Sequence, residues 1–567
     1  MADSTSSPST ITGAQYIARA LKSQGVTVVF GLVGTPVVEI SDAMISEGIR
    51  FISFRHEQSA SYAASAWGYL TGEPGVCLVV SGPGAVNGGG VFNSFINNWP
   101  TVFIAGSCES HLVGLGAFQE LDQVALNKPY TKYSARPNDM SQIGKVVQTA
   151  FNVAVAGKPG PVYIDFPADY IKGKLNSNSA PVFPKFSVNY TSPTPQSISK
   201  AAHALLSAKS PLIVIGKGAA ISRTEDQILK LVELLQCPFL PTPMGKGVVS
   251  DSNTLNVSAA RSLALGSADV VLVLGARLNW ILHFGKKFNP NATIIQADVD
   301  PSEINRSIDI DIPLVGHLEV TVQQLVDSVI SQKPSIENYQ PPAEFLSKLS
   351  AKISANTLSI QKKFESTDLP MSYYSAFNVL RKLIPDDSTF ISEGANTMDI
   401  ARSVFEFKHP RKRLDAGTAG TMGIGLGYAI SSHIAYNPQP NPTSAPTIAV
   451  VGDSAFGFSA IDIETAVRND LFLIFVVINN NGIYFGLDQP TFSKLNSNHS
   501  LPATALIPDL AYHDLGKSLG ADGYLVTTPE SLHEAFTSAL KNRKTAVINC
   551  LINPGSMSKI EFSWQKV

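Results

Sequence analysis

Cysteine is scarce in this chain: four residues in 567, Cys77, Cys108, Cys237 and Cys550, with no Cys-x-x-Cys pair. That excludes a disulfide-stapled scaffold or a zinc ribbon and leaves buried thiols in a reducing compartment. Charge is scarce too. Asp, Glu, Lys and Arg make up 16% of the residues, against about 25% in an average soluble domain. A surface with so little charge is expected to be partly covered by another subunit. The formal net charge of −2 gives no basic face for nucleic acid or an anionic membrane surface. No apolar run exceeds the length of a strand, far short of the roughly 20 residues that cross a bilayer. Met1 to Thr10 is Ser-rich and lacks Lys and Arg, so it reads as neither secretory signal nor transit peptide. Residues 1–11 are expected to be disordered. The end, Gln565-Lys566-Val567, matches the Ser-Lys-Leu peroxisomal signal poorly; cytosol is the expected compartment, with the peroxisome as the alternative.

What is present is an alternation of strand-like apolar runs with helical stretches, the pattern of parallel α/β layers. The strand runs are Val26 to Phe30, Phe51 to Phe54, Cys77 to Val80, Val102 to Ala105, Val162 to Ile164, Leu212 to Ile215, Val270 to Leu274, Ile294 to Asp298 and Leu473 to Ile478. Composition divides the chain into a first α/β block over 12–175, a Pro- and Ser-rich linker over 176–195, a second block over 196–328, a polar linker over 329–370, and a third block with a C-terminal tail over 371–567.

Two segments of the third block carry the chemistry. Gly452-Asp453-Ser454-Ala455 ends one strand run and Asn479-Asn480-Asn481-Gly482-Ile483 ends the next, with Asp453 and Asn480 27 residues apart. Strand, helix, strand places both side chains at the carboxyl edge of a parallel sheet, where α/β folds bind ligands. A carboxylate with an amide oxygen suits Mg²⁺, which keeps positions for phosphate oxygens and water. A helix opening after Ser454 would aim its free N–H groups at a diphosphate. Each segment also has an ordinary reading. Gly-Asp-Ser is a common turn and helix cap, and a glutamate such as Glu57, at the start of a helical stretch, suits the dipole.

The spacing resembles the motif of the thiamine diphosphate (ThDP) enzymes, Gly-Asp-Gly followed by about 27 residues and Asn-Asn, with Ser454 in the third place. The resemblance implies three parallel-sheet α/β domains, called PYR, central and PP, and a site that binds ThDP and Mg²⁺. It implies metal ligation by Asp453, Asn480 and the Gly482 carbonyl, with Ser454, Ala455 and Ile483 beside the cofactor. His56-Glu57-Gln58 resembles the family's catalytic glutamate segment, which makes Glu57 the acid that shares a proton with the cofactor pyrimidine. Ser81-Gly82-Pro83-Gly84 resembles the loop packed against the cofactor, and Phe118-Gln119-Glu120 resembles a segment whose glutamine, here Gln119, lines the active site. Within Gly417 to Gly425, Gly420 would offer a carbonyl to the pyrimidine amino group and Met422 would support the bent cofactor. Relatives carry an aromatic residue where this chain has Ala419. Asn396 and Thr397 sit where the family approaches the diphosphate.

In the second block, Gly275-Ala276-Arg277 and Asp298-Val299-Asp300 resemble a remodelled dinucleotide site. Arg277, Asp298 and Asp300 would there face a phosphate and ribose, with ADP, FAD or an empty site as the three outcomes. Leu240 to Gly247, the Arg277 segment through Gly285, and Gly452 to Gly482 resemble the branch of 2-hydroxyacyl-CoA lyases and oxalyl-CoA decarboxylases. That branch implies an acyl-CoA substrate, formyl-CoA as product, and a homodimer with shared active sites assembled into a homotetramer. Asn481 before Gly482 and Phe562-Ser563-Trp564 lean toward the lyase. Acetolactate synthase, a non-catalytic subunit of this fold and an NAD-dependent dehydrogenase are the remaining alternatives.

Overall fold

The computed structural model describes residues 10–335, 342–438 and 444–555. The Ser-rich start through Ser9 and the Phe562-Ser563-Trp564 stretch lie outside the described residues. The strands are β1 (Thr10–Thr12), β2 (Val28–Gly31), β3 (Arg50–Ser53), β4 (Gly75–Val79), β5 (Thr101–Ser107), β6 (Ser134–Ala135), β7 (Pro161–Pro167), β8 (Lys174–Asn176), β9 (Pro211–Ile215), β10 (Phe239–Pro241), β11 (Val270–Leu274), β12 (Thr293–Asp298), β13 (Ile312–Val315), β14 (Thr389–Glu393), β15 (Arg413–Asp415), β16 (Thr447–Gly452), β17 (Leu473–Asn479), β18 (Asp522–Val526) and β19 (Ala546–Leu551).

Among the described residues three large sheets result, each parallel throughout. Their orders are β3-β2-β4-β5-β7-β6, β10-β9-β11-β12-β13 and β15-β14-β16-β17-β19-β18. The cause is visible in composition: β9, β11 and β17 are buried along their whole length, as a strand covered by helices on both faces must be. Counting strands within each sheet, the first and third share one order, 2-1-3-4-6-5. The loops that follow the second, third and fourth strands therefore occupy matching places in both sheets. Glu57 follows the second strand of the first sheet; the Gly417–Gly425 run follows the second strand of the third. The central order, 2-1-3-4-5, reverses direction between β9 and β11, which makes the ends of those two strands its switch point.

Contacts among the described residues group these three sheets into two compact units. One combines Met1–Asn189 with Thr418–Ser444 and Phe458–Leu471; the other combines Tyr190–Gly417 with Ala445–Gly457 and Phe472–Val567. Part of the third block thus packs with the first sheet. The helix Gly425–Tyr436 lies along the helix Glu57–Thr71, so close that a Cβ on Gly427 would stand 2.6 Å from the Ser59 carbonyl oxygen. The Tyr428 hydroxyl accepts from Asn93 at 2.7 Å, and its ring lies 5.6 Å from that of Trp99.

Three expectations change. Thr10 and Ile11, placed in a disordered start, pair with Asn176 and Leu175 in an antiparallel ribbon of β1 and β8. The polar passage over 329–370 contains a 22-residue helix, Ala343–Phe364. Its apolar residues recur four apart: Phe345 and Leu349 join the core under the central sheet, and Ile360 and Phe364 join the core of the third. The helix expected after Ser454 is broken. It runs only over Asp453–Gly457, followed by a 3₁₀ turn at Ala460–Asp462 and a second short helix, Ile463–Arg468. The Pro-rich strap over 180–194 has no regular element; its start is held by Tyr16, which donates to the Pro181 carbonyl at 2.8 Å, and by Gln24, which donates to that of Phe183 at 2.7 Å.

Candidate active site

At the carboxyl edge of the third sheet, β16 and β17 run side by side with Gly452 opposite Ile478, which brings Asp453 and the Asn run together. Asp453 is buried. Its Oδ1 accepts the Ser454 N–H at 2.7 Å and its Oδ2 accepts the Gly482 N–H at 3.0 Å. Burial pushes its carboxyl up to about 6, against the pull of the backbone N–H groups of Ser454, Gly482, Asn481 and Asn480. A cation at this edge would favour the ionised form. Asn480, also buried, spends its amide N–H on the Tyr484 carbonyl at 3.0 Å, so its oxygen is left as an acceptor. Asn396 donates to the same carbonyl at 2.6 Å. Thr397 lies at this edge as well, its hydroxyl 3.5 Å from where a Cβ on Gly452 would stand.

A carboxylate and an amide oxygen at one edge are oxygen donors, the kind Mg²⁺ takes. In that respect Asp453 and Asn480 fit a divalent metal, with Gly482 beside them through its N–H. Ala455 is buried behind them, while Ile483 is 40% exposed, which leaves an apolar side chain at the mouth. The five-residue helix at Asp453–Gly457 is too short to supply the dipole expected of it, and the Ser454 N–H already serves Asp453. Asn481 turns out to be a backbone device. Its φ is 65°, a left-handed conformation that Gly and Asn tolerate best. Its side chain accepts from Asp509 N–H at 2.8 Å and donates to the Leu487 carbonyl at 3.1 Å. The Asn-or-Gly choice here follows from that φ, so it does not speak for the lyase.

Sequence reading missed three tyrosines at this edge. Tyr484 supplies the carbonyl that orients Asn396 and Asn480. The Tyr373 hydroxyl is pushed up to about 12 by burial, with hydrogen bonds to Thr397 and Asn396 and the charge of Asp453 as the further influences. Tyr512 is raised by burial and by Asp453. No motif marks them: Tyr373 and Tyr512 arrive on helices distant in sequence, and Tyr484 acts through its backbone carbonyl, which any residue carries.

In the first unit, Glu57 opens its helix behind His56, an extended N-cap whose Nδ1 accepts the Gln58 N–H at 3.1 Å. Asn87 donates to Glu57 Oε2 at 3.5 Å, and a Cβ on Gly84 would stand 3.6 Å from Oε1. Glu57 is half-buried in the single chain. Ser81 donates to Gln119 Oε1 at 3.1 Å, so Glu57, the Ser81–Gly84 loop and Gln119 form one cluster. Below them Gln123 accepts the Gly82 N–H through Oε1 and donates to Asp165 at 2.7 Å. Gly420, with φ of 63° and no atom within 4 Å of a built Cβ, is exposed, and Met422 is half-buried.

At the central switch point, Gly216 packs on Gly275 so tightly that a Cβ would stand 2.1 Å from the Gly275 oxygen. Arg277 is lowered by burial, with the carboxylates of Glu303 and Asp298 opposing. Asp298 accepts the Asp300 N–H at 2.9 Å, and Asp300 accepts that of Ser302 at 2.9 Å. Both aspartates thus spend an oxygen on their own loop. Lys217, which sequence reading passed over, is half-buried, and its ammonium is lowered by desolvation and by the nearby charge of Arg277.

Comparison with known proteins agrees with these edges. Residues 11–126 match the thiamine pyrophosphate enzyme N-terminal TPP binding domain, 198–325 the central domain, and 393–550 the C-terminal TPP binding domain. The chain is 42% identical to 2-hydroxyacyl-CoA lyase 1 of Homo sapiens, covering 98% of this chain and 97% of the relative. It is 42% identical to 2-hydroxyacyl-CoA lyase of Saccharomyces cerevisiae, covering 98% and 99%. It is 37% identical to oxalyl-CoA decarboxylase of Escherichia coli strain K12, covering 96% and 95%. With three matched domains and relatives along nearly its whole length, the chain belongs to the thiamine pyrophosphate-dependent enzymes, in the branch of 2-hydroxyacyl-CoA lyase and oxalyl-CoA decarboxylase.

Proposed function

We propose that this enzyme is a ThDP- and Mg²⁺-dependent lyase that splits a 2-hydroxyacyl-CoA into an aldehyde and formyl-CoA. The observation that carries this reading is 42% identity to 2-hydroxyacyl-CoA lyases over 98% of the chain, with the Asp453–Asn480–Gly482 oxygen set intact. When bound, the thiazolium supplies the electron sink for breaking the bond beside the thioester carbonyl. Asp453, Asn480 and the Gly482 carbonyl hold the metal and through it the diphosphate, with Asn396 and Thr397 beside them. Glu57 holds the proton shared with the pyrimidine. Gly420 offers its carbonyl to the amino group and Met422 supports the ring. Gln119, tied to Ser81, faces the substrate. Arg277, Asp298 and Asp300 line a central-domain site that takes ADP, with Lys217 beside them as a further hydrogen-bond donor for the phosphates.

The working unit is a homodimer with shared sites, further paired into a tetramer. Large apolar side chains left exposed on the first unit, Val86, Phe92, Phe95, Leu115 and Phe118, support it, because exposed apolar patches mark contact surfaces. Among the described residues no helix is long and apolar enough to cross a membrane, which fits a cytosolic or peroxisomal setting.

Offering a long 2-hydroxyacyl-CoA and oxalyl-CoA separately, with ThDP and Mg²⁺, and measuring formyl-CoA tests the reading. Faster release from the 2-hydroxyacyl-CoA is expected. Preference for oxalyl-CoA would move the enzyme to the decarboxylase reading, which its 37% identity to that relative keeps in play.

A further inference from the structure

Between Asp453 and Asn480 the chain makes an excursion whose purpose the cofactor motif does not explain. Phe458–Leu471 packs within the first unit, on the end of β3 that leads to Glu57. Asp462 is fully buried there. Its Oδ1 accepts the Arg55 backbone N–H at 2.8 Å and the Thr465 hydroxyl at 3.0 Å, while Oδ2 has no partner at hydrogen-bond distance. Arg468 donates to the Ser53 carbonyl at 2.6 Å, and the Thr465 hydroxyl oxygen lies 3.4 Å from the same carbonyl. Arg50 reaches back to Asn469 Oδ1 at 3.4 Å. The stretch from Arg50 to Arg55 is thus held at several points by one short segment. Arg55 is two residues from Glu57, and the His56 between them is the extended N-cap of the Glu57 helix. Moving the Arg55 amide therefore moves the carboxylate.

We propose that Asp462 is a positioning residue for Glu57: its buried carboxylate anchors the Arg55 amide and so sets where the Glu57 side chain enters the cofactor site. A charged acceptor suits this task, since a carboxylate binds an N–H more strongly than a neutral oxygen does. Burying that charge is costly. The Arg55 amide and the Thr465 hydroxyl offset part of the cost, and with Ser59 and His56 they counter the upward push of burial on the Asp462 carboxyl.

The inference rests on Glu57 being the proton-sharing acid, and the test separates the two. The readout is hydrogen–deuterium exchange at C2 of ThDP bound to the holoenzyme, taken beside kcat, KM and the ThDP dissociation constant. Small displacements of a catalytic group cost one to two orders of magnitude, so Asp462→Ala should slow exchange and kcat together by about tenfold or more. KM for the 2-hydroxyacyl-CoA and the ThDP dissociation constant should stay within about twofold, because no substrate or cofactor contact is removed. Asp462→Asn keeps Oδ1 in place and should restore most of the exchange rate. If Asp462→Ala does not fold, Thr465→Val keeps the packing, removes one donor to Oδ1, and should still slow exchange by about threefold. Wild-type exchange in the folded variants, or equal losses in the Ala and Asn variants, would overturn the anchoring role. Wild-type exchange in Glu57→Gln would instead overturn the reading of Glu57.

Discussion

Glu57→Gln keeps the size and hydrogen-bonding shape of the side chain and removes the proton it can share. Turnover should fall by about 10² to 10⁴, the usual contribution of a positioned acid or base, while thermal unfolding stays within a degree or two of wild type. Steady-state formyl-CoA release with a parallel melting curve checks both halves. Asn481 makes a different kind of test. Asn481→Gly keeps the left-handed backbone but loses the side-chain hydrogen bonds to Leu487 and Asp509, a cost of about 1–3 kcal/mol. Asn481→Ala adds strain of about 1–2 kcal/mol for the left-handed φ. Denaturant titration should rank the three proteins in that order. The ratio of oxalyl-CoA to 2-hydroxyacyl-CoA turnover should not change in the Gly variant, since the residue serves the backbone. At this scale the sequence was most readable in the strand–helix–strand spacing that brings Asp453 and Asn480 to one sheet edge. Tyr373, Lys217 and Asp462 were not readable, because a lone tyrosine, lysine or aspartate carries no local pattern that announces its partner.

Helices and strands were legible to different degrees for physical reasons. Strands buried on both faces leave unbroken apolar runs, so β9, β11 and β17 were found nearly to the residue. The helix Ala343–Phe364 was missed because its buried face is narrow: Phe345, Leu349 and Phe364 are its buried residues, and the rest reads as a polar passage. It nevertheless serves two cores. Leu349→Ala should cost about 2–5 kcal/mol, read as a lower denaturation midpoint with little change in slope. The buried ion cluster at β15 bears on stability in a second way. Asp415 accepts Arg413 at 2.9 Å and Arg402 at 3.0 Å, and the Gly417 N–H at 2.9 Å, which ties the glycine run to its strand. Burial alone would raise the Asp415 carboxyl, but Arg413 and Arg402 hold it below the usual carboxylate range. A depressed folded-state pKa means this contribution is complete above the unfolded value near pH 4 and is lost as pH falls below it. Asp415→Asn should therefore destabilise by about 3–5 kcal/mol at pH 7. The difference from wild type should shrink when both are unfolded in urea below pH 4.

At the scale of the molecule, three parallel sheets followed from periodicity, but the grouping of segments did not. Helix Gly425–Tyr436 and the excursion Phe458–Leu471 join the first sheet through small-residue contacts and hydrogen bonds between positions hundreds of residues apart, which no local pattern reports. The grouping has a functional counterpart. Glu57 belongs to one unit and Asp453 to the other, and the proposed dimer completes each cofactor site with Glu57 from one subunit and Asp453 from its partner. Mixing a Glu57→Gln chain with an Asp453→Ala chain tests that arrangement. Each homodimer should be inactive. In a mixed dimer one site receives both lesions and the other receives neither, so activity should return toward about half of the sites per dimer, the limit for independent sites. Tagging the two chains differently and purifying the mixed species lets activity be normalised to dimers that formed. Mixed dimers without activity would show that Glu57 and Asp453 serve a site built within one chain.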